Sequence, residues 1–137
     1  MQAGYSGTPL AKKLGIKPGL SIRLVNPPDH YAELFSDLPA DFKELKDKKV
    51  KKDFIHYFTK SVVQLKKDLQ QLRQEINENG MIWISWPKKA SGVPTDLTED
   101  IIRMLALANG LVDVKVCAVD EIWSGLKLVI PLKDRKR

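Results

Sequence analysis

Little in this sequence can bind a metal or cross-link a fold. The 137 residues include one cysteine and two histidines. Cys117 alone cannot form an internal disulfide or complete a thiolate site. His30 and His56 stand 26 positions apart, too far for a local ligand pair. No apolar run approaches the length of a membrane-spanning helix, which excludes a membrane partner of that kind. The first ten residues lack the basic start and apolar stretch of a secretory signal, so a cytoplasmic protein is expected. No serine sits in a nucleophile-elbow pattern.

A glycine-rich turn is also missing where dinucleotide and S-adenosylmethionine enzymes place one, after the first strand. That turn reads Val25-Asn26-Pro27-Pro28-Asp29, and its two prolines carry no amide donor. It looks superficially like the Asn-Pro-Pro-aromatic motif of amino-group methyltransferases, but Asp29 occupies the aromatic position.

What is present describes an ordinary globular chain, 43% hydrophobic and 29% charged, long enough to bury one core without a staple. A single Rossmann-like α/β domain over 1–137 is expected. It would have an arm and short helix over 1–20 and a basic tail over 132–137. The 23 basic residues exceed 17 acidic ones, a net charge of +6. Residues 1–23 carry Lys12, Lys13, Lys17 and Arg23 without an acid, and five basic residues between Lys127 and Arg137 face Asp134. Over 41–53 six lysines nearly cancel against four carboxylates. A nucleic-acid reader would displace counterions with such charge. No helix is both basic and rich in base-reading side chains, so nucleic-acid binding through the basic ends ranks last among the functions weighed.

Thr8-Pro9 reads as a helix start stopped by Gly15. Residues 21–26 read as a strand, and Tyr31, Leu34, Phe35 and Leu38 as a short amphipathic helix closed before Pro39. A short edge strand is expected over 42–46 and a stronger one over 53–58. Ser61 with Gln64 fits a capping box, and Val62, Leu65, Leu69, Leu72 and Ile76 form one buried helical stripe. Asn79-Gly80 would end that helix through left-handed backbone geometry. Residues 81–86 read as a strand covered on both faces. Asp96 and Glu99 suit the start of another helix, with Leu97, Ile101 and Leu105 on one face. Residues 111–119 and 122–130 read as strands whose short link, Asp120-Glu121, demands antiparallel pairing.

Alternating strands and helices followed by a hairpin predict a three-layer α/β sandwich. Its mostly parallel, doubly wound sheet would have five or six strands. The expected strand order, numbered along the chain, is 2-1-3-4-6-5 with strand 6 antiparallel.

Ligands of such sheets lie beyond the carboxyl ends of the strands. Asn26, Trp86, Lys88, Lys89, Ser91, Trp123 and Ser124 are the candidate ligand-binding residues, because the fold would gather them there. Two ammonium groups and the Ser91 hydroxyl on a loop entering a helix suit an anion; the bland alternative pairs the lysines with Asp96 or Glu99. Three tryptophans, at 83, 86 and 123, suit a stacking surface or the core. His56 reads as a packed, hydrogen-bonded residue. Gly4-Tyr5-Ser6-Gly7 suits a lid or a simple amino-terminal arm.

Several strings resemble a family of small bacterial proteins catalogued as a domain of unknown function. They are Ala3-Gly-Tyr-Ser-Gly-Thr-Pro-Leu10, Lys13-Leu-Gly-Ile-Lys-Pro-Gly19, Trp83-Ile-Ser-Trp-Pro-Lys-Lys-Ala-Ser-Gly92 and Thr95-Asp-Leu-Thr-Glu-Asp100. The long run from Gly110 to Lys127 belongs with them. The resemblance implies a Rossmann-like, methyltransferase-like fold in a cytoplasmic bacterial protein, with no catalytic residue or cofactor to carry over. The leading functional expectation is a non-enzymatic module binding a small anionic ligand or a protein partner at the sheet edge, with a homodimer through an edge strand possible. The alternative is a reduced S-adenosylmethionine-dependent methyltransferase-like enzyme; the cofactor itself is otherwise unknown.

Overall fold

A computed structural model describes residues 8–135. The Gly4-Gly7 arm and the last two basic residues lie outside that range. Helix α1, Leu10–Leu14, ends at Gly15, whose φ of 87° provides the expected left-handed stop. Thr8 does not cap it. The Asp37 carboxylate does, accepting the Ala11 and Lys12 amides at 3.0 Å each.

Five strands form one sheet in the order β1-β2-β3-β5-β4. They are β1 (Ile22–Val25), β2 (Lys52–Phe58), β3 (Ile76–Pro87), β4 (Val112–Ala118) and β5 (Trp123–Val129). The first three run parallel, and β5 is antiparallel to both neighbours. The expected order therefore holds, with its second strand reduced to one bridge between Ile22 and Glu44 beyond β1. Leu45 donates to the Ile22 carbonyl at 2.7 Å. The next amide of β1, on Leu24, goes to the Glu44 carboxylate at 3.3 Å, and the ladder stops.

Helices α2 (Val62–Glu75) and α3 (Glu99–Ala108) cover one face. Leu65, Leu69, Ile102 and Ala106 pack there on Tyr57, Ile84 and Leu126. On the other face α1 and a 3-10 turn, Tyr31–Leu34, bury Phe54, Phe58, Trp83 and Trp123. Trp83 donates its indole N–H to the Leu14 carbonyl at 2.8 Å, tying α1 to the sheet centre. Gly125 opposes it. A Cβ there would sit 3.0 Å from the Trp83 ring, so only glycine lets the two strands and the indole share that space.

Three expected elements differ. The helix over 31–38 is a single 3-10 turn, because the chain extends from Phe35 onward to bring Asp37 onto α1. Helix α2 starts where expected, with the Ser61 hydroxyl accepting the Gln64 amide, but the capping box is not closed: the Ser61 amide donates to the Thr59 hydroxyl, which in turn donates to the Gln64 side chain. It ends at Glu75, not at Asn79-Gly80. Ile76 already pairs with Lys52, and the register then jumps so that Phe54 pairs with Met81, leaving 77–80 as a bulge. Gly80 serves close approach there, since a Cβ would lie 2.9 Å from the Lys52 carbonyl oxygen. Helix α3 is capped by Thr98, which accepts the Ile101 amide. Asp96 instead accepts the Val62 amide at 2.8 Å and so serves α2.

Candidate functional site

The carboxyl ends of β1, β2 and β3 share one rim with the β4–β5 link. Pairing of Trp86 with Ser124 and of Pro87 with Trp123 joins the end of β3 to the start of β5. The Lys88 amide then donates to the Ile122 carbonyl at 2.8 Å. Asp120 shapes the link by accepting the Ile122 and Trp123 amides. His30 Nε2, from the segment after β1, lies 3.6 Å from its other oxygen.

The loop between β3 and α3 encloses a cavity of about 620 Å³ on this rim. Its apolar side is Trp86, Pro87, Val93, Pro94 and Leu97; its polar side is Lys88, Lys89, Thr95, Thr98, Glu99 and Ser124. A turn over Lys89–Ser91 holds the loop, with Gly92 at a φ of 75°. The Ser91 hydroxyl donates to the Lys88 carbonyl at 2.7 Å and accepts the Val93 amide at 3.1 Å. That hydroxyl therefore shapes the loop and does not line the cavity. Thr95 anchors the far end by donating to the Lys60 carbonyl at 2.7 Å.

Charges are sorted within this loop. Both neighbouring carboxylates have partners other than the lysines: Asp96 accepts the Val62 amide, and Glu99, which lines the cavity, pairs with Arg103. Arg103 also binds Asp100 at 2.7 Å and Asp113 at 3.0 Å, so it holds the acidic first turn of α3 and offsets part of its charge. The side chains of Lys88 and Lys89 form no ion pair among the described residues, and the Ser124 hydroxyl has no partner there. Two ammonium groups and a hydroxyl beside apolar walls can hold an amphiphile with an anionic end.

Of the seven residues expected from sequence, the cavity gathers Trp86, Lys88, Lys89 and Ser124. Trp123 lies on the opposite face, packed edge-on against Phe58 with ring centroids 5.1 Å apart. With Trp83 fully buried, the three indoles are core and make no common stacking surface. Asn26, at a φ of 54°, donates to the Phe58 carbonyl and lines a separate groove beside β1. The walls from Val93 to Thr98 escaped sequence reasoning, although Gly92 leading into Thr98 marks a loop returning to a helix.

His56 is fully buried, with Nδ1 2.9 Å from the Tyr31 hydroxyl and Nε2 2.7 Å from the Ser85 hydroxyl. Burial pushes its pKa down to about 3, so the ring is a neutral packing group, as expected. Among the described residues no cluster of three or more His, Cys, Asp or Glu could hold a metal ion, and no helix is long and apolar enough to cross a membrane.

No protein-family model and no curated protein matches the chain. Solved structures do. LepI in complex with SAM matches with a TM-score of 0.55 and 15% identity, over 89% of this chain and 39% of that one. A structure described as a pericyclic reaction enzyme matches with a TM-score of 0.55 and 14% identity, over the same shares. Magnesium protoporphyrin IX methyltransferase from Synechocystis PCC 6803 with bound SAH matches with a TM-score of 0.49 and 12% identity, over 64% of this chain and 50% of that one. The chain thus spans two fifths to half the length of these structures. The leading expectation of a non-enzymatic module finds no support in these structures; the fold is shared with LepI in complex with SAM, which sides with the methyltransferase-like alternative at the level of fold. The architecture is that of a Rossmann-like, methyltransferase-like three-layer α/β sandwich.

Proposed function

We propose that this chain is a reduced methyltransferase-like enzyme domain whose ligand site is the rim cavity between the end of β3, the 88–98 loop and Ser124. We extend the proposal to its family, the small bacterial proteins whose strings it resembles. The observation that carries the reading is the pair of uncommitted lysines facing an apolar-walled cavity at the carboxyl rim of this fold.

The turn after β1 lacks the glycines that S-adenosylmethionine enzymes place there, so in this chain the cofactor would have to be held by side chains at the rim cavity rather than by that backbone. A pyrophosphate needs converging backbone amides, and Pro27 and Pro28 have none. An amino-acid carboxylate can be held by side chains. Lys88 and Lys89 suit that carboxylate, Ser124 suits a ribose or amino group, and Trp86, Pro87, Val93 and Pro94 suit the adenine and thioether. When bound, the cofactor supplies an electrophilic methyl group on sulfur. The residues here hold and orient it, and the loop anchored by Ser91 and Thr95 limits water.

Calorimetry with S-adenosylhomocysteine tests the reading. Binding in the micromolar range is expected, weakened about tenfold or more by K88A/K89A, since charge-assisted bonds contribute roughly 1.5–3 kcal/mol each. Absence of heat with the folded wild-type protein would remove the proposal.

A further inference from the structure

The carboxylates over 41–53, which nearly cancel the lysines in sequence, form no ion pair with the exposed lysines among the described residues; they turn to backbone amides and keep their charge. Asp41 accepts the Gly19 amide, Glu44 the Leu24 amide, Asp47 the Lys49 amide and Asp53 the Ser21 amide. Each is engaged by backbone. Lys52 is fully buried, donating to Glu75 at 3.0 Å and to the Asp47 and Val50 carbonyls. Glu75 in turn binds Arg23 at 2.5 Å. This buried triad pins the 47–50 turn against the sheet, while Lys43, Lys46, Lys48 and Lys49 remain exposed with no ion pair among the described residues.

The pinned turn forms one bank of a groove along the open side of β1. Its two lobes, about 320 and 240 Å³, share Arg23, Val25 and Asn26 as floor. Lys46 stands on one lobe and Lys48 on the other. The second bank is α2, which presents Gln64, Asp68 and Gln71. Lys67 is exposed and lies at helical spacing between the two glutamines, hence on the same side. Glu44 and Asp68 also line the groove and keep their charge, but each is turned to a donor of its own, the Leu24 amide and, at 2.6 Å, the Tyr57 hydroxyl, so neither pairs with a lysine, and Lys46, Lys48 and Lys67 leave the groove net positive.

We propose that this groove docks the phosphodiester backbone of a nucleic acid, with Lys46 and Lys48 on one bank and Lys67 on the other contacting successive phosphates. The lysines are spread along two banks and do not converge on one point, which suits a chain of phosphates better than a single anion. Asn26 and the glutamine amides between them are neutral donors of the kind that bind phosphate and sugar oxygens. No aromatic ring appears among the large exposed apolar side chains of the described residues, so no exposed ring there offers a base a stacking platform. The contact is therefore sequence-independent. Taken with the enzyme reading, on which this clause alone rests, the groove points to nucleic acid as the substrate class.

Fluorescence anisotropy with a labelled 20-nucleotide mixed-sequence DNA, single-stranded and as a duplex, tests this between 50 and 200 mM salt. The expected dissociation constant is about 10⁻⁴–10⁻⁶ M near physiological salt, and three phosphate contacts give a log–log salt slope of roughly −2 for the single strand. K46A/K48A/K67A should flatten that slope and weaken binding about tenfold or more at 50 mM, and K46R/K48R/K67R should restore it. K12A/K17A/K133A removes equal charge from exposed sites elsewhere and should change affinity less than about twofold. Equal loss in both triple alanine variants, no loss in the first, or inorganic phosphate at matched ionic strength displacing the DNA completely would each overturn the proposal. Titration of the same variants with S-adenosylhomocysteine keeps the two readings separate: the groove variants should bind it unchanged, and its failure to bind the wild type leaves the DNA result standing.

Discussion

His56 shows how one buried side chain ties stability to pH. Its ring bridges the Tyr31 turn to Ser85 on β3, and burial holds it neutral far below its ordinary value of 6.5, to about 3. The unfolded chain therefore binds one more proton than the folded chain between those limits. Stability conferred by the neutral ring is complete above pH 6.5 and declines as pH falls, by up to about 1.4 kcal/mol per pH unit. Asp53 adds the same sign only in the carboxylate range: burial pushes it up, but bonds from Ser21 and Asn77 outweigh that and lower it. NMR of the histidine rings checks this, since the His56 resonances should not titrate down to pH 4 in the folded protein. A His56 midpoint near 6.5 would contradict it. The neutral, packed role was legible from the mid-strand position of His56 without a nearby acid. Its partners Tyr31 and Ser85 were not, because they lie 25 and 29 positions away and meet it only through the sheet.

At the scale of elements, the end of α2 separates what local sequence dictates from what packing dictates. The N-terminus followed its capping residues, because a hydroxyl three positions before an amide needs nothing else. The C-terminus ignored the Asn79-Gly80 signal. Glu75 is drawn into the buried pair with Lys52, and Ile76 is already in the sheet. A lysine and a glutamate that both vanish from solvent carry no local mark in the sequence. Removing Glu75 should cost about 3–5 kcal/mol, since the Lys52 charge stays buried, and removing Lys52 less than that, since Glu75 keeps Arg23. Glu75→Gln is therefore expected to unfold at markedly lower urea concentration, and Lys52→Met by a smaller margin. A loss under about 1 kcal/mol in both would show that the pair does not hold this corner. The same substitutions should free the 47–50 turn, because two of the three Lys52 bonds are to its carbonyls.

For the whole molecule, the strand order was readable because handedness and connection length leave few alternatives once strands and helices are located. The rim that order implies does bring 86–92 and 120–125 together. Which face each rim residue occupies was less legible. Side chains alternate along a strand, so Trp86 and Trp123, paired one position out of step, look to opposite faces. Where charges sit was less legible for a related reason: carboxylates that balance lysines in composition turn to backbone amides in space while keeping their charge, both beside β1 and ahead of α3. Amide chemical-shift mapping with S-adenosylhomocysteine tests the site most directly. The largest changes are expected at Lys88, Lys89, Gly92, Val93, Thr95 and Ser124; changes centred on Val25 and Asn26, or none at saturating ligand, would contradict the rim cavity as the site.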